Sequence, residues 1–432
     1  MSGNSPELTR LRLRDFKAFT AESGGASMSL RPITLIYGFN NSGKSALLRS
    51  LVWFDDSLRP GHGQPLHLKS PALLGAGFDA LMTAGTHSPI EIEADFNAPN
   101  GKNATLSWRI RPLSEILDHV VERFVCTVRS NGDDQPLDSL TLEWTAKSGE
   151  QGPAREYQVW SGASESSIVN FEFSGLIPKA RGGWNHSNAE CNTFLESLES
   201  PQAVHWLTSR RAPPPRSFAL LGRPDDLSPD GSGYAEALAW YDKFNTQGDP
   251  VHAVSQWFEE HLGVRFSLSP NGGFISPVFA ARERPAAMFS ALESGQGLQE
   301  VLPVLALLNL PRPAAAILAI EEPESHLHPR LHAALARECI DAVRRQPGTK
   351  VLLETHSENI LLAVQIEIAE GTIAPEDVVV HWVQSSPDGT ATTTEINFDD
   401  LGRPSRPWPD GVFSEDIEQS RRLLEARKRK VS

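Results

Sequence analysis

Cysteine is scarce: Cys126, Cys191 and Cys339 are the only three. They stand far apart in no CxxC spacing, which excludes a disulfide framework and a thiolate zinc site. Long apolar runs are missing as well. The longest, around Val301 to Leu310, is too short to cross a bilayer as a helix, so no membrane span is expected. Positive charge is in deficit, with 40 Lys and Arg against 54 Asp and Glu and a formal net charge of −14. The far field therefore repels nucleic acid, and DNA or RNA binding would need a local basic patch. Internal repeats are absent, and so are the sustained apolar heptads of long coiled-coil arms. The opening residues from Met1 to Glu7 lack the basic-then-apolar order of a secretory signal, and the expected location is the cytoplasm.

What is present suits a globular chain. The 432 residues, 40% hydrophobic and 22% charged, have room for one large or two to three ordinary domains. Arg10 to Arg14 alternates with period two and reads as a half-buried strand; Ile33 to Tyr37 is a second, apolar strand that runs into glycine. Helical spacing follows through Ala46, Leu47, Leu48, Leu51 and Val52. From about Leu66 to Phe279 this rhythm gives way to short strands and Gly, Pro, Ser and Asp-rich loops, with helices at Tyr234 to Phe244 and Val254 to His261. The proline run Ala212 to Arg216 must be extended. Regular α/β order then returns: helix Leu298 to Leu308, buried strand Ala316 to Ile320, helix Leu331 to Val343, strand Val351 to Leu353, and helix Ser357 to Glu370 closed by Gly371. Strand Val378 to Val383, a hairpin through Ser386 to Gly389 and a polar helix from Glu415 complete the pattern. The expected division is 1–65 and 286–432 as two parts of one head, with 66–285 as an inserted subdomain.

Gly38-Phe-Asn40-Asn41-Ser42-Gly43-Lys44-Ser45 fits GxxxxGK[ST] between strand and helix. There, successive backbone N–H groups and a helix N-terminus face phosphate oxygens. Gly38, Asn40 to Ser45 and Ala46 form the expected phosphate cradle. Lys44 is placed to reach the β- and γ-phosphates, and the Ser45 hydroxyl is a hard ligand for Mg²⁺. The apolar strand from Ala314 ends in Glu321 and Glu322, where a parallel sheet presents groups to ligands. Glu321 is the expected Mg²⁺ ligand, direct or through water, although an Asp is usual there. Glu322 is the expected acceptor that orients an attacking water.

Leu292-Glu-Ser294-Gly295-Gln-Gly297, shortly before that strand, resembles the LSGGQ signature of ABC-type ATPases. Glu324 to Pro329 follows in the D-loop place, and Glu354-Thr-His356-Ser resembles a switch-histidine segment. With the opening Leu11 to Phe19, the chain resembles the free-standing ATPases related to RecF, SMC and OLD proteins. Glu321 to Pro329, Thr355 to Glu358 and Trp408 to Phe413 resemble the compact bacterial ATPases of anti-phage systems, of which Septu is an example.

The resemblance implies an α/β P-loop NTPase fold of the AAA group, an ABC-type two-lobed ATPase head with a large inserted subdomain. It implies ATP and Mg²⁺ as cofactors, and a homodimer or higher assembly that encloses ATP between one P-loop and the partner's Ser294, Gly295 and Gly297. His356 would sense the γ-phosphate. The chain runs from His356 only to Ser432, and the fused nuclease of OLD proteins is not expected. Its output is then a conformational switch for a separately encoded effector, such as a nuclease. The alternatives are a RecF-like DNA-binding loading factor, which the acidic balance disfavours, and a P-loop kinase, which leaves the signature without purpose.

Four features stay open. His326, His328 and His332 have spacings that suit a metal, or simply belong to the D-loop surface. Arg210, Arg211 and Arg216 either meet phosphate or sit on a solvated, salt-bridged surface. Arg427 to Lys430 is a terminal basic run of the kind that is mostly a solubilising tail. Gln64 is the one glutamine placed to link the nucleotide to the insertion.

Overall fold

The computed structural model describes residues 6–59, 61, 63–83, 88–98, 101–113, 118–146, 154–162, 167–181, 188–198, 204–224, 226–244, 249–313, 315–409, 412–413 and 415–431. Ala314 of the apolar strand, and Asp410 and Gly411 of the closing motif, lie outside them.

The chain opens with strands β1 (Glu7–Arg14), β2 (Ala26–Ser29) and β3 (Ile33–Tyr37), then helix α1 (Lys44–Leu58). Seven strands follow: β4 (Ile90–Ala98), β5 (Lys102–Leu113), β6 (Asp118–Ser130), β7 (Pro136–Trp144), β8 (Ala154–Ser161), β9 (Ser167–Phe173) and β10 (Pro178–Ala180). Next come α2 (Ala189–Ser197), β11 (Val204–Leu207), α3 (Tyr234–Phe244) and α4 (Pro250–Leu262). A small antiparallel sheet of β12 (Val264–Asn271), β13 (Phe274–Ala281) and β14 (Arg284–Ser290) leads to α5 (Gln296–Asn309). The last part alternates β15 (Ile317–Glu321), α6 (His332–Arg345), β16 (Lys350–Thr355) and α7 (Glu358–Ala369). It closes with β17 (Val378–Ser385), β18 (Ala391–Ile396) and α8 (Glu415–Val431). None of the described helices is long and apolar enough to cross a membrane.

Two large sheets sandwich α1. The six-stranded sheet runs β11-β15-β16-β3-β17-β18, parallel except for the last strand. The other is an antiparallel sheet of nine, β10-β9-β8-β7-β6-β5-β4-β1-β2. Its strands are longer than the sequence rhythm suggests, with β6 reaching 13 residues. Polar residues on the outward face hide that length: in β5 the side chains of Ala104, Leu106, Trp108 and Ile110 are buried while the intervening ones are not. Residues 66–285 are not sealed off from the rest. β4 pairs with β1, and β11 pairs in parallel with β15, so chain order and layer order diverge.

The pleat of the six-stranded sheet sends alternate side chains into two cores. Ile36, Ile317, Ala319 and Leu352 join the core shared with α1 and the nine-stranded sheet. Leu35, Leu318, Ile320, Val351 and Leu353 join the core under α3 to α7. By this alternation, Glu321 and Glu354 fall on the face that α1 covers.

Candidate active site

The site begins where β3 runs out. A Cβ on Gly38 would lie 2.2 Å from the Val383 carbonyl oxygen, so the close approach of β17 admits only glycine. Asn41 and Gly43 take the left-handed conformation, with φ of 61° and 103°. Phe39, Asn40 and Asn41 face solvent, while Ser42 and Lys44 turn inward. Gly43 caps α1 without any side-chain hydrogen bond, which leaves the first N–H groups of the helix directed at the loop's hollow. Ala46 packs half-buried against the core behind. Lys44 Nζ donates to the Phe39 carbonyl at 2.8 Å. Burial holds its pKa below the usual lysine value against the pull of Glu354, Glu322 and Glu324. The Ser42 hydroxyl is buried without a partner among the described residues.

Two carboxylates end the neighbouring strands in register, Glu321 opposite Glu354. Their surroundings differ. Glu321, 1% exposed, receives Arg49 Nε at 2.6 Å and Nη2 at 2.7 Å, Trp206 Nε1 at 3.1 Å and the Ser209 amide at 3.4 Å. Glu321, expected at Mg²⁺ directly or through water, is here engaged by Arg49, one helical turn after Ser45, on both of its oxygens. Glu354 instead faces the P-loop, with Ser45 Oγ donating to its Oε1 at 2.6 Å. Burial pushes the Glu354 carboxyl up to about 7, only partly offset by the Ser45 bond.

Glu322 follows in a left-handed conformation, φ 42°, held by its amide donating to the Glu354 carbonyl at 2.7 Å and by Ser325 Oγ donating to its Oε2 at 3.1 Å. Glu322, Glu354 and His356 each offer an atom within 4.8 Å of the others. Burial, aided by the Lys44 charge, keeps His356 below the ordinary histidine pKa, and a neutral imidazole is the form that can accept or donate.

Two residues to which the sequence reading gave no role in the cluster support it. Glu324 Oε1 accepts Thr355 Oγ1 at 2.6 Å and the His356 amide at 2.9 Å, tying the loop after β15 to the one after β16. Arg211, expected on the surface or at a phosphate, turns its guanidinium inward, with Nη2 donating to the Glu321 carbonyl at 2.7 Å. Arg216 stays exposed, 3.1 Å from Glu293. The three histidines do not converge. His326 lies 3.6 Å from Glu300, His328 accepts the Arg330 amide, and His332 bonds Ser357 Oγ at 2.7 Å. The Gln64 carbonyl accepts the Gly175 amide.

The segment from Leu292 to Gly297, which resembles the signature, leads into the start of α5. Ser294 Oγ donates to the Ala291 carbonyl at 2.7 Å, and Gln299 Nε2 donates to the Ser294 carbonyl at 2.7 Å. Gly295 is the N-cap, exposed and with no atom within 4 Å of a Cβ placed there. At Gly297, by contrast, a Cβ would meet the His326 carbonyl oxygen at 2.5 Å, so its smallness serves packing inside the chain. No hydrogen bond joins Ser294, Gly295 or Gly297 to residues 38–46 among the described residues.

The arrangement fits a nucleotide phosphate chain with its magnesium ion. The uncapped α1 N-terminus and Lys44 suit the phosphates, and the Ser45 hydroxyl beside an unpaired carboxylate oxygen suits a hard cation.

Residues 280–363 match the family model described as "AAA domain, putative AbiEii toxin, Type IV TA system". That span contains Ser294, Glu322 and His356. Among solved structures, the chain is similar to the SMC head domain from Thermotoga maritima: 13% identity, TM-score 0.42, over 90% of this chain and 98% of that one. It is also similar to the Smc head domain with an extended coiled coil bound to the C-terminal domain of ScpA, derived from Pyrococcus furiosus: 12% identity, TM-score 0.45, over 98% and 100%. A third is the recombination mediator protein RecF-ATPrS in the RecFOR pathway: 8% identity, TM-score 0.35, over 91% and 99%. No curated protein matches.

Proposed function

We propose that this chain is an ABC-type P-loop ATPase and works as a conformational switch in which two copies enclose each ATP, the P-loop of one facing the Ser294 to Gly297 segment of the other. The observation that carries the reading is a site divided within the chain. Lys44, Ser45, Glu322, Glu354 and His356 gather at the carboxyl ends of β3, β15 and β16. Gly295 and the N-terminus of α5, a second place for phosphate oxygens, are open to solvent with no hydrogen bond to that cluster. A head-to-tail pair completes both halves at once.

In this reading Lys44 leaves the Phe39 carbonyl for the β- and γ-phosphates. Glu322, steadied by Ser325, accepts a hydrogen bond from the attacking water and orients it in line. His356, its amide fixed by Glu324, would contact the γ-phosphate. A magnesium ion held at the Ser45 hydroxyl would supply positive charge that offsets the charge on the transferred phosphoryl group. ATP favours the closed pair because only that state offers it both halves, and hydrolysis removes the preference. The pair then signals to a separately encoded effector, a nuclease or toxin in an anti-phage setting. The resemblance of Glu321 to Pro329 and Thr355 to Glu358 to defence ATPases supports that partner.

The test is the solution mass of the Glu322→Gln variant with and without ATP and Mg²⁺. Slowed hydrolysis should trap a nucleotide-dependent rise from monomer to dimer. A persistent monomer that binds ATP would overturn the shared site.

A further inference from the structure

We infer that Glu354, and not Glu321, is the acidic residue that holds the divalent cation of the bound nucleotide together with the Ser45 hydroxyl, and that Glu321 is a structural carboxylate. The inference rests on the ATPase reading and refines its metal site. It starts from two glutamates that end adjacent strands in register. Both are almost fully buried, at 1% and 3% exposure. By position along the chain, Glu321 is the residue expected at the cation.

Their partners reverse that expectation. Glu321 has four donors on two oxygens: two from Arg49, one from Trp206 and one from the Ser209 amide. A carboxylate so engaged must break a bidentate ion pair before it can meet a metal, and that would leave the half-buried Arg49 without its partner. Glu354 has one neutral donor, Ser45 Oγ at 2.6 Å on Oε1. Its Oε2 is buried with no partner among the described residues. A buried carboxylate oxygen with no donor is costly unless something binds it.

The group that shares Glu354 is the P-loop hydroxyl, and hydroxyl plus carboxylate is the hard-oxygen pair a magnesium ion accepts from a protein. Lys44 acts on Glu354 through its charge alone and leaves Oε2 without a donor, since its ammonium is turned to the Phe39 carbonyl. Sheet order explains the exchange. β16 lies between β15 and β3, so its end is nearer the P-loop, and the pleat points both carboxylates to the α1 side. Arg49 stands over the farther strand and Ser45 over the nearer one. Glu321 thereby fastens α1 to β15 and β11, while Glu354 remains open to the cation.

The experiment measures ADP affinity by calorimetry, in Mg²⁺ and in EDTA, for the wild-type chain, Glu354→Ala and Glu321→Gln. Losing a direct ligand costs at least what losing its supporting partner does, about tenfold. Glu354→Ala should therefore lose about tenfold or more of the strengthening by Mg²⁺, read as the ratio of its affinities in Mg²⁺ and in EDTA. Glu321→Gln should melt earlier yet keep that strengthening. The inference is overturned if Glu354→Ala retains the full Mg²⁺ effect. A wild-type chain that binds no ADP in either condition would overturn the ATPase reading itself, a separate result. If Glu321→Gln does not fold, electron paramagnetic resonance of Mn²⁺ with ADP decides alone. Bound Mn²⁺ lost in Glu354→Ala supports the inference, and equal bound Mn²⁺ in both proteins overturns it.

Discussion

The two large sheets treat charge in opposite ways. On the nine-stranded sheet, Arg155 of β8 is buried at 8% exposure, but other charged side chains stand on the outer face and pair with one another: Arg12 with Asp95 at 2.7 Å and Glu93 at 2.9 Å, Arg109 and Arg111 with Glu122. All of these are partly exposed, where an ion pair contributes little to stability and is no burden either. At the carboxyl ends of the six-stranded sheet, Lys44, Glu321, Glu324 and Glu354 are each 9% exposed or less. Oxygens of Glu324 and Glu354 there lack any partner among the described residues. A fold retains such an arrangement where a ligand is to arrive. The contrast marks one sheet as scaffold and the other as chemistry.

The strongest way to break the contrast is at Trp108, 1% exposed in β5. It packs against Phe54 of α1 and Phe124, and its Nε1 donates to the Leu176 carbonyl at 2.7 Å. Trp108→Ala should cost about 3–5 kcal/mol of stability, read by chemical denaturation, while the folded fraction binds ADP as before. A weakened ADP affinity well below the melting point would show that this sheet shapes the site and is more than scaffold.

A middle-sized effect lies on α1, between the sheets. Burial pushes the Asp55 carboxyl up to about 6, so the folded chain holds that proton more tightly than the unfolded one. Stability from this group is complete below about pH 4 and is lost as the pH rises through 6. Asp55→Asn keeps an acceptor for the Arg59 and Val204 donors and removes the charge. It should flatten that part of the pH profile and gain on the order of 2 kcal/mol above pH 6. Parallel profiles for the two proteins would mean that Asp55 ionises without penalty. The smallest effect sharpens the scaffold side: Arg12→Ala should cost less than about 1 kcal/mol, and a larger loss would mean that the outer charge network is cooperative.

Much of the parallel sheet was legible because its elements obey local rules. Ile33–Tyr37 and Tyr234–Phe244 have the bounds that periodicity assigns them. Glycine stands where the loop after β3 needs a left-handed residue or a close approach. The nine-stranded meander was less legible, since strands with one solvated face look like broken strands and loops. The site was legible as far as chain order carries it, through Lys44, Ser45, Glu322 and His356. What chain order does not contain is which strands lie side by side. Glu354 ends an apolar run, Val351 to Leu353, as Glu321 ends its own, and that likeness was a signal available in the residues. Only the placement of β16 beside β3 decides which glutamate meets Ser45. Arg49 and Arg211 could not be assigned from sequence, because their partners are 272 and 110 residues away.

Gly297 carries a consequence for anyone who would redesign the molecule. With the His326 carbonyl 2.5 Å from where a side chain would start, the signature turn and the D-loop are cut to each other's outline like two interlocking parts. A redesign of 294–297 must therefore keep glycine at 297 or move the backbone at His326 with it, whereas position 295 has room for a side chain.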